Sequence, residues 1–326
     1  MNNFGATLLQ FVPFLIIIVL ANMGEGAPLF RWLTYGASIL MNLALILIGG
    51  VLAVLALTPA PNLPAGVQVP FQNPGAGAII LAAGLVGFLP LVPAVRRGLA
   101  RRIPIDPTHT VHTTALVFAI YLVGLTSAQF FVDFRQLVAS GVVLTPGAAW
   151  AQSLAFILFG VLGVGFGIRR SWSETLGRLG LTRLTGRQVA LALGIMLVLQ
   201  LFDLAVSYAW FAVAPGSFQQ LSDITRGLFR RFAGPLGAVT LGLSAGLGEE
   251  ILFRGAVQPR FGLWLTTLLF ALGHAQYAIS PALAEVFVIG LILGIVRRRE
   301  NTSTAILIHA TYNALNVLMV PLAPGP

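Results

Sequence analysis

Two adjacent acids, Glu249 and Glu250, stand inside an apolar run, Gly246-Leu247-Gly248-Glu249-Glu250-Ile251-Leu252-Phe253-Arg254. A charged side chain at the centre of a bilayer costs about 2.5–3.5 kcal/mol on insertion scales, so the pair calls for a chemical reason. Neighbouring helix positions point about 100° apart, so the two carboxylates face different ways and are expected to do different jobs. Glu250 and Arg254 are four residues apart and share a helix face, where an ion pair offsets part of the cost of burial. The same spacing places Phe253, not a base, four positions beyond Glu249. A carboxylate partly withdrawn from water is suited to act as a general base towards a water molecule.

Further along, His274 closes Phe270-Ala271-Leu272-Gly273-His274, and His309 and Asn313 bracket His309-Ala310-Thr311-Tyr312-Asn313. His309 and Asn313 are four apart and share a face. An imidazole N–H and an amide NH₂ presented together can donate hydrogen bonds to one developing oxyanion. Glu249 and His274 are then the pair to hold an attacking water, with or without a metal. The chain has no cysteine, which excludes a thiolate nucleophile and a Cys-ligated metal. It also lacks the His-Glu-x-x-His and Gly-x-Ser-x-Gly patterns. Asp203 reads as a proton-relay acid or a helix-packing hydrogen bond, and Glu285, near the start of an apolar stretch, as an acid reaching the interface.

The elements that must position these groups are membrane helices. Of 326 residues, 57% are hydrophobic and 9% charged, and the mean hydropathy is +0.90, far from what a water-covered domain needs. A spanning helix takes about 20 apolar residues. Stretches of that kind fall near 7–23, 34–58, 76–94, 111–128, 148–168, 188–214, 235–257, 261–278, 281–296 and 302–322. The expected fold is therefore all-α, a polytopic transmembrane helical bundle of about ten spans. Thr7–Met23 reads as a retained helix rather than a signal peptide. The 19 basic residues are all arginine, a usage typical of a GC-rich, bacterial genome, so a bacterial cell membrane is the expected location. The arginines fall in alternate loops, Arg96–Arg102, Arg169–Arg187 and Arg297–Arg299, while the loop Pro59–Gly75 has no charge. By the positive-inside rule the basic loops are cytoplasmic and both termini lie outside. This accounts for the net charge of +9 without a nucleic-acid partner.

Residues 217–234 break the alternation. Phe218, Leu221, Ile224, Leu228 and Phe232 recur at helical spacing among Gln219, Asp223, Arg226 and Arg230, the pattern of an amphipathic helix in the interface; a miscounted span is the other explanation. Gly242 with Gly246 and Gly290 with Gly294 offer small faces for close helix approach. At about 1.5 Å per residue, Glu249 and His309 each lie roughly 11–12 Å from the cytoplasmic end of their span and His274 nearer 20 Å. Convergence requires the eighth helix to tilt or to begin later, around Trp264.

The ordered set Glu-Glu-x-x-x-Arg (Glu249, Glu250, Arg254), Phe-x-x-x-His (Phe270, His274) and His-x-x-x-Asn (His309, Asn313) resembles the CAAX protease and bacteriocin-processing (Abi) family over roughly residues 235–318. The resemblance implies a catalytic region, 215–326, following helices of unassigned role, 1–214. It implies an intramembrane endopeptidase whose cavity opens to the cytosol and whose substrate is a peptide or membrane-associated protein in the lipid bilayer. In that scheme Glu249 and His274 activate water, His309 and Asn313 stabilise the oxyanion, and Glu250 and Arg254 support the site. The family is named for metalloproteases, and Glu249, His274 and His309 form a donor set that could bind zinc. Two other classes stay open: a proton-coupled transporter, in which Asp203 and Glu250 matter most, and a non-catalytic scaffold or bacteriocin-immunity factor.

Overall fold

The computed structural model describes residues 4–58 and 73–319, so most of the loop Pro59–Gly75 and the end of the tenth expected span lie outside the described residues. Each long apolar stretch expected to be helical is helical over most of its described residues. The α-helices are α1 (Phe4–Leu9), α2 (Val12–Met23), α3 (Pro28–Leu57), α4 (Pro74–Val86), α5 (Pro93–Leu99), α6 (Thr110–Ala128), α7 (Phe134–Ala139) and α8 (Pro146–Gly163). They continue with α9 (Trp172–Leu179), α10 (Gly186–Val213), α11 (Pro215–Phe229), α12 (Pro235–Glu249), α13 (Gln258–Leu272), α14 (Pro281–Arg299) and α15 (Thr302–Met319). Proline stands at the start of many of these helices, where its missing N–H has no helical partner to lose. Among the described residues there is no β-sheet, only one isolated bridge, Phe166 with Arg170.

Among the described residues six helical runs are long and apolar enough to cross a membrane, and α2 is a shorter apolar helix. The protein is an integral, multi-pass membrane protein. The count differs from the ten expected stretches for local reasons. The first stretch is divided into α1 and the 12-residue α2. The expected seventh and eighth spans form one helical run, Pro235–Leu272. In that run α12 passes into a π-helix, Glu250–Val257, and then α13, where Gly262 alone leaves helical geometry with φ 76 and ψ 176. That positive φ favours glycine, which has no Cβ to clash. The second arm therefore begins at Leu263, and its helix ends at Leu272, before His274. α14 and α15 are fully formed, but α14 carries Glu285 and Arg297–Arg299 and α15 carries His309 and Asn313.

The chain divides into two compact units. One comprises Ile17–Asp133 and Leu268–Leu283. In it α3 and α4 meet through glycine: a Cβ on Gly49 would lie 2.3 Å from Leu81 N, and one on Gly77 2.4 Å from Ala53 N. Tyr121 of α6 donates to buried Asn42 Oδ1 at 2.7 Å. The other unit comprises the residues up to Ile16, Phe134–Thr267 and Ala284 onward. Residues from 215 on thus contribute to both. The second unit's core is aliphatic, with Ala192 and Leu199 of α10, Leu293 of α14, and Ala305 and Ile308 of α15 packed together.

The amphipathic segment is a helix, α11, followed by a 3₁₀ turn at Arg230–Phe232. Phe218 and Phe232 are buried while Asp223, Arg226, Arg230 and Arg231 are exposed, the division a helix along the membrane surface requires. Phe218 packs edge-on against Trp210 and Phe211 of α10 at 5.6 and 5.7 Å.

The glycines of α12 set the geometry that matters most. A Cβ on Gly242 would lie 2.3 Å from Ala310 O, and one on Gly246 2.9 Å from Ala310 N. The backbones of α12 and α15 therefore touch next to His309. We expect Gly242→Ala to force the two helices apart and cost about 1–3 kcal/mol, read as a lower thermal midpoint in detergent. Gly163→Ala, where a Cβ meets nothing within 4 Å, serves as the control. Equal midpoints for the two variants would show that this close contact does not stabilise the protein.

Candidate active site

Close contact at Ala310 sets His309 opposite the π-helix, and there three ionisable groups meet. Arg254 Nη1 donates to Glu250 Oε1 at 2.8 Å, and His309 Nδ1 donates to the same oxygen at 2.8 Å. All three side chains are sealed from solvent, with exposures of 0% for Glu250, 1% for Arg254 and 5% for His309. The expected Glu250–Arg254 pair is present. His309 joins it, a contact 59 residues apart in sequence. Arg254 is the largest fully buried side chain, and it has a second partner: Nη2 donates to Gly290 O at 3.1 Å. One turn on, Gln258 Nε2 donates to Gly294 O at 2.8 Å. Gly290 and Gly294 thus leave α14 carbonyls open to two long polar side chains. Sequence reasoning identified the glycines as a packing face and missed Gln258; four-residue spacing of Arg254 with Gln258, matching that of Gly290 with Gly294, was the available signal.

The π-helix is held from outside as well. A Cβ on Gly160 of α8 would lie 2.8 Å from Ile251 Cγ2, and one on Gly255 3.1 Å from Leu179 Cδ2. Arg178 of α9 donates to Gly255 O at 3.1 Å. α9 is itself tied to α15, since Thr302 N donates to Gly180 O at 2.9 Å and Thr302 Oγ1 to Leu179 O at 2.5 Å. A π-turn presents fewer favourable backbone contacts than an α-turn and is found mostly at functional sites; here packing on both sides maintains it.

Glu249 is half-buried on the last α-turn before the π-helix. The Arg254 guanidinium lies within electrostatic reach of Glu249 as well as Glu250, because Arg254 is central to the turn. Asn313 is half-buried one helical turn beyond His309. His274 belongs to the other unit, just past the end of α13. There its Nδ1 lies 2.9 Å from Phe270 O. The ring stacks on Tyr277, 6.1 Å away at 12°, and lies 4.9 Å from the Phe270 ring. Phe270 thus both accepts from the imidazole and packs against it.

The two imidazoles share one property. Carbonyl and carboxylate oxygens only accept hydrogen bonds, so Nδ1 carries the proton in His274 and in His309. Any chemistry these rings perform passes through Nε2. In a neutral ring that atom is an acceptor, suited to orient a water; in an imidazolium it is a donor.

A second polar group lies on α10, α14 and α15 in the unit that holds Glu250. Asp203 accepts from Gln200 Nε2 at 3.5 Å, Glu285 accepts from Tyr312 at 3.4 Å, and the two carboxyl groups hydrogen-bond to each other. Glu285 was expected to reach the interface; it is instead buried, because Tyr312 and Asp203 supply partners inside the bundle.

Zinc fits these residues poorly as they stand. Among the described residues no group of three or more His, Cys, Asp or Glu side chains is placed to hold a metal ion, and Nδ1 of His309 is engaged by Glu250.

Comparison with known proteins finds similarity to a described family over the same stretch of chain. Residues 231–315 match the family model described as "Type II CAAX prenyl endopeptidase Rce1-like". An "Uncharacterized 24.3 kDa protein" of Escherichia coli is 34% identical over 91 residues, 24% of this chain and 42% of that protein. The chain thus matches less than half the length of this curated relative. No solved structure matches the chain.

Breaking the buried triad by one partner leaves an uncompensated charge in apolar surroundings. Arg254→Met is expected to cost about 3–5 kcal/mol, and Glu250→Gln with Arg254→Met together to recover part of it. Denaturation in detergent measures both, and an unchanged midpoint for Arg254→Met alone would show that the pair carries no stability.

Proposed function

From the premise that residues 231–315 belong to the Rce1-like CAAX-protease family, we propose that the protein is an intramembrane endopeptidase that hydrolyses a peptide bond of a membrane-associated protein or peptide at the cytoplasmic side. The observation that carries this reading is the buried Glu250–Arg254–His309 triad, which fixes one imidazole beside the family's two glutamates. The catalytic region is 215–326, and the earlier helices govern how a substrate reaches it.

Glu249 is the general base. It takes a proton from a water whose other hydrogen bond is accepted by Nε2 of His274, the acceptor left when Nδ1 donates to Phe270 O. The hydroxide adds to the scissile carbonyl, and charge develops on its oxygen. His309 Nε2 and the Asn313 amide donate to that oxygen. For this role His309 donates from both ring nitrogens, Nδ1 to Glu250 Oε1 at 2.8 Å and Nε2 to the oxyanion. The charges then close: Glu249 and Glu250 offset Arg254 and His309, so the site is neutral before water is deprotonated. Collapse of the intermediate breaks the C–N bond, and Glu249 returns its proton to the leaving amine.

Glu250 and Arg254 support rather than react, since both are occupied with each other, His309 and Gly290. Loss of a general base lowers rates by about 10²–10⁴-fold, and loss of one oxyanion donor by about 10²–10³-fold. Cleavage of a reporter peptide by purified protein should therefore fall by these factors in Glu249→Ala and Asn313→Ala, and fall strongly in His274→Ala. Undiminished cleavage in Glu249→Ala and His274→Ala would remove both from the mechanism. The same assay after chelation decides zinc dependence, through loss of cleavage that added zinc restores. Because the chain has no cysteine, a Glu249→Cys/His274→Cys variant tests their approach directly: a short bifunctional thiol reagent should join them, and failure to cross-link in folded protein would oppose a shared water.

A second reading, a proton-coupled transporter, rests on the Asp203–Glu285 pair. Solute flux in proteoliposomes that Asp203→Asn abolishes and His309→Ala does not would favour it over hydrolysis. Full retention of phenotype in a Glu249→Ala strain would instead favour a scaffold or immunity role.

A further inference from the structure

The arginines of the protein are not all alike. Arg169, Arg298 and Arg299 are exposed, while their neighbours Arg170, Arg178, Arg260 and Arg297 are half-buried. These last four come from the turn after α8, from α9, from α13 and from the end of α14, and Arg170, Arg260 and Arg297 all lie within electrostatic reach of Arg178 on the last turn of α9. Gly180 caps α9 with φ 69. The Arg297 guanidinium lies over it, so that a Cβ there would sit 2.6 Å from Arg297 Cζ. Arg178, two residues earlier, donates to Gly255 O at 3.1 Å. Arg260 follows five residues after that glycine. Arg170 reaches back to Val164 O at the end of α8.

Four guanidinium groups in one place repel one another unless an anion joins them. Burial, then the charges of Arg260, Arg170 and Arg297, push Arg178 down to about 10. The acids on these elements are engaged elsewhere. Glu300 binds Arg187 and Gln188 at 2.6 and 3.1 Å. Glu174 feels Arg170 but is tied into a capping box with Ser171 at the opposite end of α9. The Nε of Arg297 is buried with no hydrogen-bond partner among the described residues. Among the described residues the cluster is therefore rich in donors, and the acids on these elements are already tied to other groups.

Its surroundings indicate what kind of anion belongs there. Beside Arg169 and Arg170 stand Ile168, 40% exposed, and Trp172, 53% exposed, with Trp172 braced edge-on by Phe166 at 5.2 Å. Tryptophan next to arginine at the end of a membrane helix marks the headgroup level of a bilayer, and basic pockets between membrane helices on the cytoplasmic side hold anionic headgroups. We propose that Arg170, Arg178, Arg260 and Arg297 form a binding site for the phosphate of an anionic phospholipid headgroup, with Trp172 and Ile168 against its acyl region. The bound lipid would complete the clamp that α9 places on the π-helix through Arg178 and Gly255, which couples membrane composition to the geometry of Glu250 and Arg254. This proposal stands independently of the endopeptidase reading.

The test uses the full chain in detergent, with native mass spectrometry and thermal midpoints read after addition of phosphatidylglycerol, phosphatidylcholine or inorganic phosphate. Phosphatidylglycerol should be retained and raise the midpoint, phosphatidylcholine should do neither, and inorganic phosphate should compete only at far higher concentration. Arg260→Gln and Arg297→Gln should each weaken phosphatidylglycerol binding about five-fold, while Arg169→Gln and Arg298→Gln, at exposed positions, leave it unchanged. Arg178→Gln is the less secure variant because it also removes the bond to Gly255 O, so the outcome is judged on Arg260 and Arg297. Equal retention of both lipids, equal loss in exposed and half-buried variants, or free phosphate binding as tightly as lipid would each overturn the headgroup site. So would a defect in Arg297→Gln confined to binding of a peptide C-terminal carboxylate.

Discussion

A carboxylate at Glu250, sealed within apolar helices, is tolerable only while its countercharge and hydrogen-bond donors stay in contact with it. Arg254 and His309 both meet Oε1 at 2.8 Å, and this requirement governs the packing around them. Arg254 is held by the π-helix on one side and by Gly290 O on the other. His309 must stand within a hydrogen bond of a residue on a different helix, which in turn demands that α12 and α15 approach to backbone contact at Gly242 and Gly246. Larger residues at either position would hold the imidazole away from the carboxylate. The helix interface and the polar triad are thus one device.

Such an arrangement makes a poor contribution to stability and a good one to orientation. Each buried charge is compensated, yet a set of apolar side chains of the same volume would pack with no desolvation penalty. What the triad supplies is a fixed ring. With Nδ1 of His309 bound to Glu250 and Nδ1 of His274 bound to Phe270 O, both imidazoles present Nε2, and each has a partner that sets its tilt. Orienting a reactive ring through its remote nitrogen is a general feature of histidines that act as ligands, bases or donors. The widened turn at Glu250–Val257 belongs to the same device. A π-helix held between Gly160 of α8 and Leu179 of α9 is not locally favoured, and its persistence depends on neighbours that also contact α15.

Those neighbours connect the triad to the basic turns at either end of α9. α9 lies outside the long apolar runs, begins with a capping box at Ser171 and ends under Arg297 at Gly180. Its last turn touches the π-helix and the start of α15, the two elements that carry Glu250 and His309. The basic turns around α9 are therefore also structural parts of the polar centre, which explains why some of their arginines are half-buried while adjacent ones are exposed.

Much of this was legible from the residues alone because it depends on local periodicity. A four-residue interval places Glu250 over Arg254 on any helix-like turn, apolar length marks the membrane runs, and alternating Phe218, Leu221, Ile224, Leu228 and Phe232 mark α11. Charge in an apolar stretch identified Glu249 and Glu250 without any partner being known. The partners themselves were not legible. That His309 joins Glu250, that Gln258 meets Gly294, that Glu285 turns inward to Tyr312, and that Arg170, Arg260 and Arg297 come within reach of Arg178 all depend on which helices lie side by side, and spacing along one helix carries no information about its neighbours. The break at Gly262 and the π-turn before it likewise follow from packing: a run of helix-compatible residues gives no local sign of where neighbouring backbones will bend or widen it.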